Sequence, residues 1–117
     1  MENLRIGRAW MRAFNARDVE ALVSLYAADA IHTSPKIRVR HPETGGVLRG
    51  HAQLTALWKD AMERLPEMRY EPLSFTADEH RVFMEYLRHV PGEEPMPVAE
   101  VLDVIGGKIV ASRVYHG

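Results

Sequence analysis

Residues 101–116 read VLDVIGGKIVASRVYH, and the fold turns on the two glycines at 106 and 107. Two apolar-rich runs separated by Gly-Gly are a hairpin signal, because a two-residue loop needs positive φ and glycine takes it without a steric penalty. Such a loop pairs Ile105 with Lys108, which sets Asp103 opposite Val110, Val101 opposite Ser112 and Ala99 opposite Val114. Side chains alternate along a strand. One face is then expected to carry Ala99, Val101, Asp103, Val110, Ser112, Val114 and His116. The other carries Glu100, Leu102, Val104, Ala111, Arg113 and Tyr115.

Working back from this hairpin, the period of two continues through 68–76, 81–90 and 97–105, with 108–115 closing the set. Ala77–His80 and Pro91–Pro95 join these runs and are too short for crossovers, so the strands are antiparallel neighbours. In 81–90 the row Val82, Met84, Tyr86, Arg88 and Val90 is the apolar one. Ahead of Pro66 the period is helical. Ile6, Trp10, Ala13 and Phe14 form one stripe, and Val19, Leu22, Val23 and Tyr26 form a second behind the capping residue Asp18. Gly50 opens a third helix through Leu54, Leu57, Trp58, Ala61, Met62 and Leu65, which Pro66 stops. Between them lie a short strand, Ala30–Ser34, ended by Pro35, and a loop over 35–50 with extended pieces at 37–39 and 47–48. The expected class is α+β, with three N-terminal helices on a strongly curved, mostly antiparallel sheet that encloses a pocket.

The 117 residues suit a single domain spanning 1–117. Fifteen basic and sixteen acidic residues are interspersed, so no nucleic-acid partner is expected. There is no cysteine for a disulfide or thiolate. The charged N-terminus, MENLRIGRAWMR, is unlike a signal peptide, and no apolar run reaches the roughly 18 residues of a membrane span, so the expectation is a cytoplasmic protein without a membrane partner. Six histidines show no H-x-H or H-x-x-x-H spacing, and neither metal nor other cofactor is expected.

Arg88 and Asp103 stand on the expected inner face, where a charge is costly unless paired; they are either a buried ion pair or functional groups. His32 and Ser34 share one side of the first strand, which faces either packed core or a cavity. The aromatic and sulfur-bearing stripe of Trp10, Phe14, Trp58 and Met62 reads as core or as the wall of that cavity.

These stretches together, RDVEALVSLYAADA, GHAQLTALWKDAM and VLDVIGGKIVASRVYH, resemble over nearly the whole chain the cone-shaped fold of nuclear transport factor 2. Within it, the pattern is similar to the SnoaL-like polyketide cyclases and the ketosteroid isomerases. The resemblance implies an apolar pocket lined by Trp10, Phe14, Tyr26, Ser34, Trp58, Met62, Met84, Val101, Val114 and His116. In the isomerases the position of Ser34 holds the proton-moving aspartate, and that of Trp10 holds the tyrosine that donates to the oxyanion; both roles are unfilled here. Asp103 matches an aspartic acid kept neutral by an apolar site. Tyr26 and Trp58 match tyrosines of the same network.

The expected activity is binding of a small apolar molecule with proton transfer of isomerase or cyclase type. His32 is the expected base, Asp103 with Tyr86 or Tyr26 the donors to the charged oxygen, and Arg88 the partner of that oxygen or of a substrate carboxylate. A non-catalytic binding module is the alternative. Limonene-epoxide hydrolase, a further relative that uses two aspartates with an arginine, suggests hydrolysis through Arg88 and Asp103. Phe83, Leu87, Leu102, Val104 and Ile109 on the outer face suggest a sheet-to-sheet homodimer.

Overall fold

The Gly106-Gly107 turn forms as the sequence predicts, with φ of 59° and 78°, in a computed structural model that describes residues 2–116. Among the described residues, helices α1 (Glu2–Asn15) and α2 (Val19–Ser24) lead into strand β1 (Tyr26–Thr33). Helix α3 (Pro35–Arg40), a 3-10 turn (Pro42–Thr44) and strand β2 (Val47–Arg49) follow, then the long helix α4 (Gly50–Arg64). Strands β3 (Arg69–Ala77), β4 (Arg81–His89), β5 (Met96–Ile105) and β6 (Lys108–His116) complete the chain. The six strands form one open sheet in the order β2-β1-β6-β5-β4-β3. Among the described residues only the β1–β6 pairing is parallel, since β1 returns from the helical half to lie beside the last strand.

The core lies between the helix stripes and one sheet face. Ile6, Trp10, Phe14, Leu22, Leu54 and Trp58 pack against Val82, Met84, Tyr86, Leu102, Val104 and Ile109, all nearly inaccessible. Gly7 lets α1 approach the sheet: a Cβ there would stand 2.8 Å from Val82 Cγ1. Gly7→Ala is therefore expected to cost about 1–2 kcal/mol, because the clash exceeds what alanine gains in helix propensity. In a Val82→Ala background the same substitution should become stabilising, and thermal melts of the four variants read this coupling.

Three expectations need correction. The 35–50 segment is partly helical rather than a loop. Ser34 caps α3, its Oγ accepting from Lys36 N at 3.2 Å, and Pro35 occupies the first turn, where its missing N–H is no loss. Proline ends β1 because it starts a helix. Tyr26, read as the end of a helical stripe, is the first residue of β1.

The third correction decides the site. Ile105 pairs with Lys108 and Val104 with Ile109, but Asp103 pairs with Ala111, so Val110 is an extra, bulged residue. Beyond it the register is shifted by one from the ideal hairpin, with Leu102 opposite Ser112, Val101 opposite Arg113 and Glu100 opposite Val114. One inserted residue exchanges faces. Glu100, Leu102 and Val104 turn inward, while Val101 and Asp103 turn outward. Leu102, Val104 and Ile109 thus leave the face expected to support a dimer, where Phe83, Leu87, Val101 and Tyr115 remain.

Candidate functional site

Between α1, α3, α4 and the concave sheet face is a cavity of about 480 Å³ that opens to solvent. The strand alternation of β4 delivers Tyr86 and Arg88 to it, β5 delivers Val98 and Glu100, and β6 delivers Val114 and His116. From β1 and its junction with α3 come His32 and Ser34; Trp10, Phe14 and Trp58 come from the helices. These were all expected there except Glu100 and Val98. Tyr26, Met62 and Met84 are buried behind the lining rather than in it.

Asp103 and Val101 are not in the cavity, contrary to expectation. Asp103 accepts from Arg81 Nε at 2.8 Å and from Arg113 Nη1 at 2.6 Å on the outer face, and these two guanidinium groups hold its carboxyl below the ordinary range. Val101 lies in the same outward row, paired with Phe83 and Arg113. Arg88 has no contact with Asp103; its Nη1 donates to Glu93 at 2.9 Å.

The acid of the cavity is Glu100, which the sequence pattern had placed outside. It is 1% exposed, Tyr86 OH donates to its Oε1 at 2.8 Å, and its Oε2 has no partner among the described residues. Burial, only partly offset by the Tyr86 hydrogen bond, pushes its pKa up to about 8. The one signal for it in the sequence is that Glu100 is the lone carboxylate in a row otherwise made of Val98, Leu102 and Val104. Tyr70 is, after Glu100 and Val98, a third missed residue. It stacks on Phe14 at 3.9 Å and on Tyr86 at 4.2 Å between ring centroids, so an aromatic wall runs from Trp10 to Tyr86 beside the acid.

His32 is 4% exposed and its Nδ1 lies 2.5 Å from Ser112 Oγ. Burial pushes its pKa down to about 4, away from the neutral range expected of a base. Ser34 is engaged by the cap of α3. Lys36, His116 and Arg88 gather on one part of the lining, where burial and mutual repulsion lower the pKa of Lys36 and His116. Among the described residues no group of three or more His, Asp or Glu side chains is placed to hold a metal ion, and no helix is long and apolar enough to cross a membrane.

Over its full length the chain is similar to a SnoaL-like protein of unknown function from Burkholderia thailandensis, at 26% identity and a TM-score of 0.88 over 99% of this chain and 94% of that one. A candidate polyketide cyclase from Sinorhizobium meliloti shares the fold at 19% identity and a TM-score of 0.79, covering 95% and 94% of the two chains. A candidate ketosteroid isomerase from Kribbella flavida does so at 16% and 0.81, covering 99% and 78%. No functionally curated protein matches the chain. The model of the SnoaL-like domain matches residues 7–112, from within α1 to the middle of β6, and the chain belongs to that family.

Proposed function

We propose that the cavity binds a small, largely apolar molecule carrying a carbonyl group and that Glu100 moves a proton on it, in an isomerase- or cyclase-type reaction. The observation that carries this reading is the unpartnered Oε2 of a fully buried carboxyl at the cavity wall. A buried polar atom without a partner is costly, so its place at a cavity wall calls for a ligand, an ordered water or a role in a reaction. Its pKa near 8 suits the task, since a base works best with a pKa close to the operating pH. Tyr86 holds the other carboxyl oxygen and fixes its orientation.

In the ionised form, Glu100 takes a proton from the carbon next to the carbonyl. The C–H electron pair moves into the carbon framework and negative charge collects on the ligand oxygen. Return of the proton to a different carbon gives an isomer; attack of the enolate carbon on a second carbonyl opens its C=O π bond and gives a ring, the proton on Glu100 passing to the alkoxide so formed. The stacked Trp10, Phe14, Tyr70 and Tyr86 suit a flat ligand. Hydrolysis of an epoxide loses its support, because Asp103 is on the outer face. The candidate cyclase and isomerase among the similar structures add support of fold only.

The test uses 2-tetralone, a bicyclic ketone with acidic hydrogens beside the carbonyl, in deuterated buffer. Protein-dependent exchange that rises with pH through about 8 and is lost in Glu100→Gln supports the reading. Saturable binding with no exchange in the wild-type protein would favour a binding module instead.

A further inference from the structure

Four side chains behind the cavity form one hydrogen-bonded chain. Trp10 Nε1 donates to Tyr26 OH at 3.0 Å, Tyr26 OH donates to Ser112 Oγ at 3.0 Å, and Ser112 Oγ meets His32 Nδ1. All four are buried, Ser112 completely. The indole N–H has no acceptor capacity, so the direction of the first link is fixed. Tyr26 accepts there and has one proton, which goes to Ser112. Ser112 in turn has one proton, and among the described residues its hydroxyl reaches no acceptor but His32 Nδ1. If Nδ1 carried a hydrogen, the serine proton would be left without a partner in a site closed to water.

We infer that Trp10, Tyr26 and Ser112 act as positioning residues that fix His32 as the neutral imidazole protonated on Nε2, and that His32 thereby serves as a hydrogen-bond donor to the ligand oxygen rather than as a base. Nδ1 is turned to Ser112, which leaves Nε2 as the edge of a cavity-lining ring without a hydrogen-bond partner among the described residues. Trp58 packs on the ring at 5.6 Å between centroids and restrains its orientation. The low pKa caused by burial agrees with a neutral ring, since no charged group contributes to it. A neutral donor set in advance stabilises an oxyanion without any reorganisation during the reaction. The site then has two separated roles: Glu100 handles the carbon-bound proton and His32 the oxygen. On β6 these positions are one inward step apart, since Ser112 pairs with His32 and Val114 with Glu100.

This inference rests on the proposed function for its ligand but not for its histidine, and the two can be tested apart. Long-range proton–nitrogen NMR of the free protein reads the ring directly. The expected result is a pyridine-like Nδ1 and a pyrrole-like Nε2 for His32, unchanged across the neutral range, with the preference weakened in Ser112→Ala. A protonated Nδ1, or titration near neutrality, overturns the inference and leaves the role of Glu100 standing. Infrared spectroscopy of carbonyl-labelled 2-tetralone then reads the donor. Its carbonyl stretch should move to lower frequency in the cavity, return in His32→Phe with about tenfold weaker binding, and be restored in part by His32→Gln, whose amide N–H replaces Nε2–H. The His32→Gln variant also controls for a His32→Phe protein that fails to fold. A stretch indifferent to both substitutions overturns the donor role. Failure of the ketone to bind at all overturns the proposed function together with the donor role, while the ring form is still read by NMR.

Discussion

Glu100→Gln should lower 2-tetralone exchange by about 10²–10⁴-fold, the usual contribution of a positioned acid–base group, and at the same time make the protein more stable in mild alkali. Both effects come from the same buried carboxyl. Its folded-state pKa is raised to about 8 from 4.5, so the fold favours the protonated form. The stability this gives is fully present below pH 4.5 and is lost progressively as pH rises towards 8. Complete ionisation withdraws on the order of 3–5 kcal/mol. Glutamine has the same shape and can still accept from Tyr86, but does not ionise, so the variant escapes the loss. His32 acts in the opposite sense. Its pKa is lowered from 6.5 to about 4, so its stability is full above 6.5 and lost as pH falls towards 4. The contributions of the two groups run against each other between pH 4.5 and 6.5, giving a plateau, and above it Glu100 alone makes stability fall. Urea unfolding of the two proteins at a series of pH values checks this. Parallel curves from pH 6.5 to 9 would show that Glu100 is not held protonated by the fold.

Arg17→Ala is expected to cost about 3–4 kcal/mol, a large share of the stability of a small domain. The guanidinium donates to Met62 O at 2.8 Å, Leu65 O at 2.7 Å and Met68 O at 2.8 Å, binding the last carbonyls of α4 and the chain that leaves it for β3. These are groups that a helix end leaves without intrahelical partners. Arg17 reaches them from a left-handed backbone, at φ 60°, which for a residue with a Cβ carries strain of about 1 kcal/mol or more. Two further variants separate the contributions. Arg17→Gly relieves the strain but not the lost contacts, and should fall about 1 kcal/mol short of the alanine loss. Arg17→Lys should recover less than half, since one ammonium cannot reproduce a planar fork serving three carbonyls. Chemical denaturation measures all three, and an alanine variant within about 1 kcal/mol of wild type would show that solvent replaces these bonds at no cost.

How far the chain could be read from its sequence depends on the range of the forces involved. Helices α1 and α4 and the four C-terminal strands follow from local periodicity, and Asp18 caps α2 through Ala21 N as its position suggests. Trp10, Phe14 and Trp58 were named as pocket residues through the family resemblance, the helical stripes alone leaving core or cavity wall open, whereas Tyr86 follows from the alternation of β4. Helix α3 was missed because its stop and start signals coincide in Ser34-Pro35. Glu100 was missed for a different reason. A bulge is decided by the competition between two whole faces for the core, and nothing local to Val110 announces it. Nothing in the local pattern marks Arg17, because its partners lie more than forty residues away.

The bulge also bears on how this chain is compared with its relatives. Two sequences can be aligned through β5 and β6 without a gap and still present opposite rows of side chains to the interior, if one of them lacks the extra residue. Identity in an alignment column then does not mean identity of environment. A carboxylate at column 103 in a relative with an unbulged hairpin would share the inward row with the pocket side chains, so the column match with Asp103 pairs an inward acid with a member of a surface ion pair. Transfer of roles within this family is therefore sound only after the strand register, and not merely the residue order, has been matched.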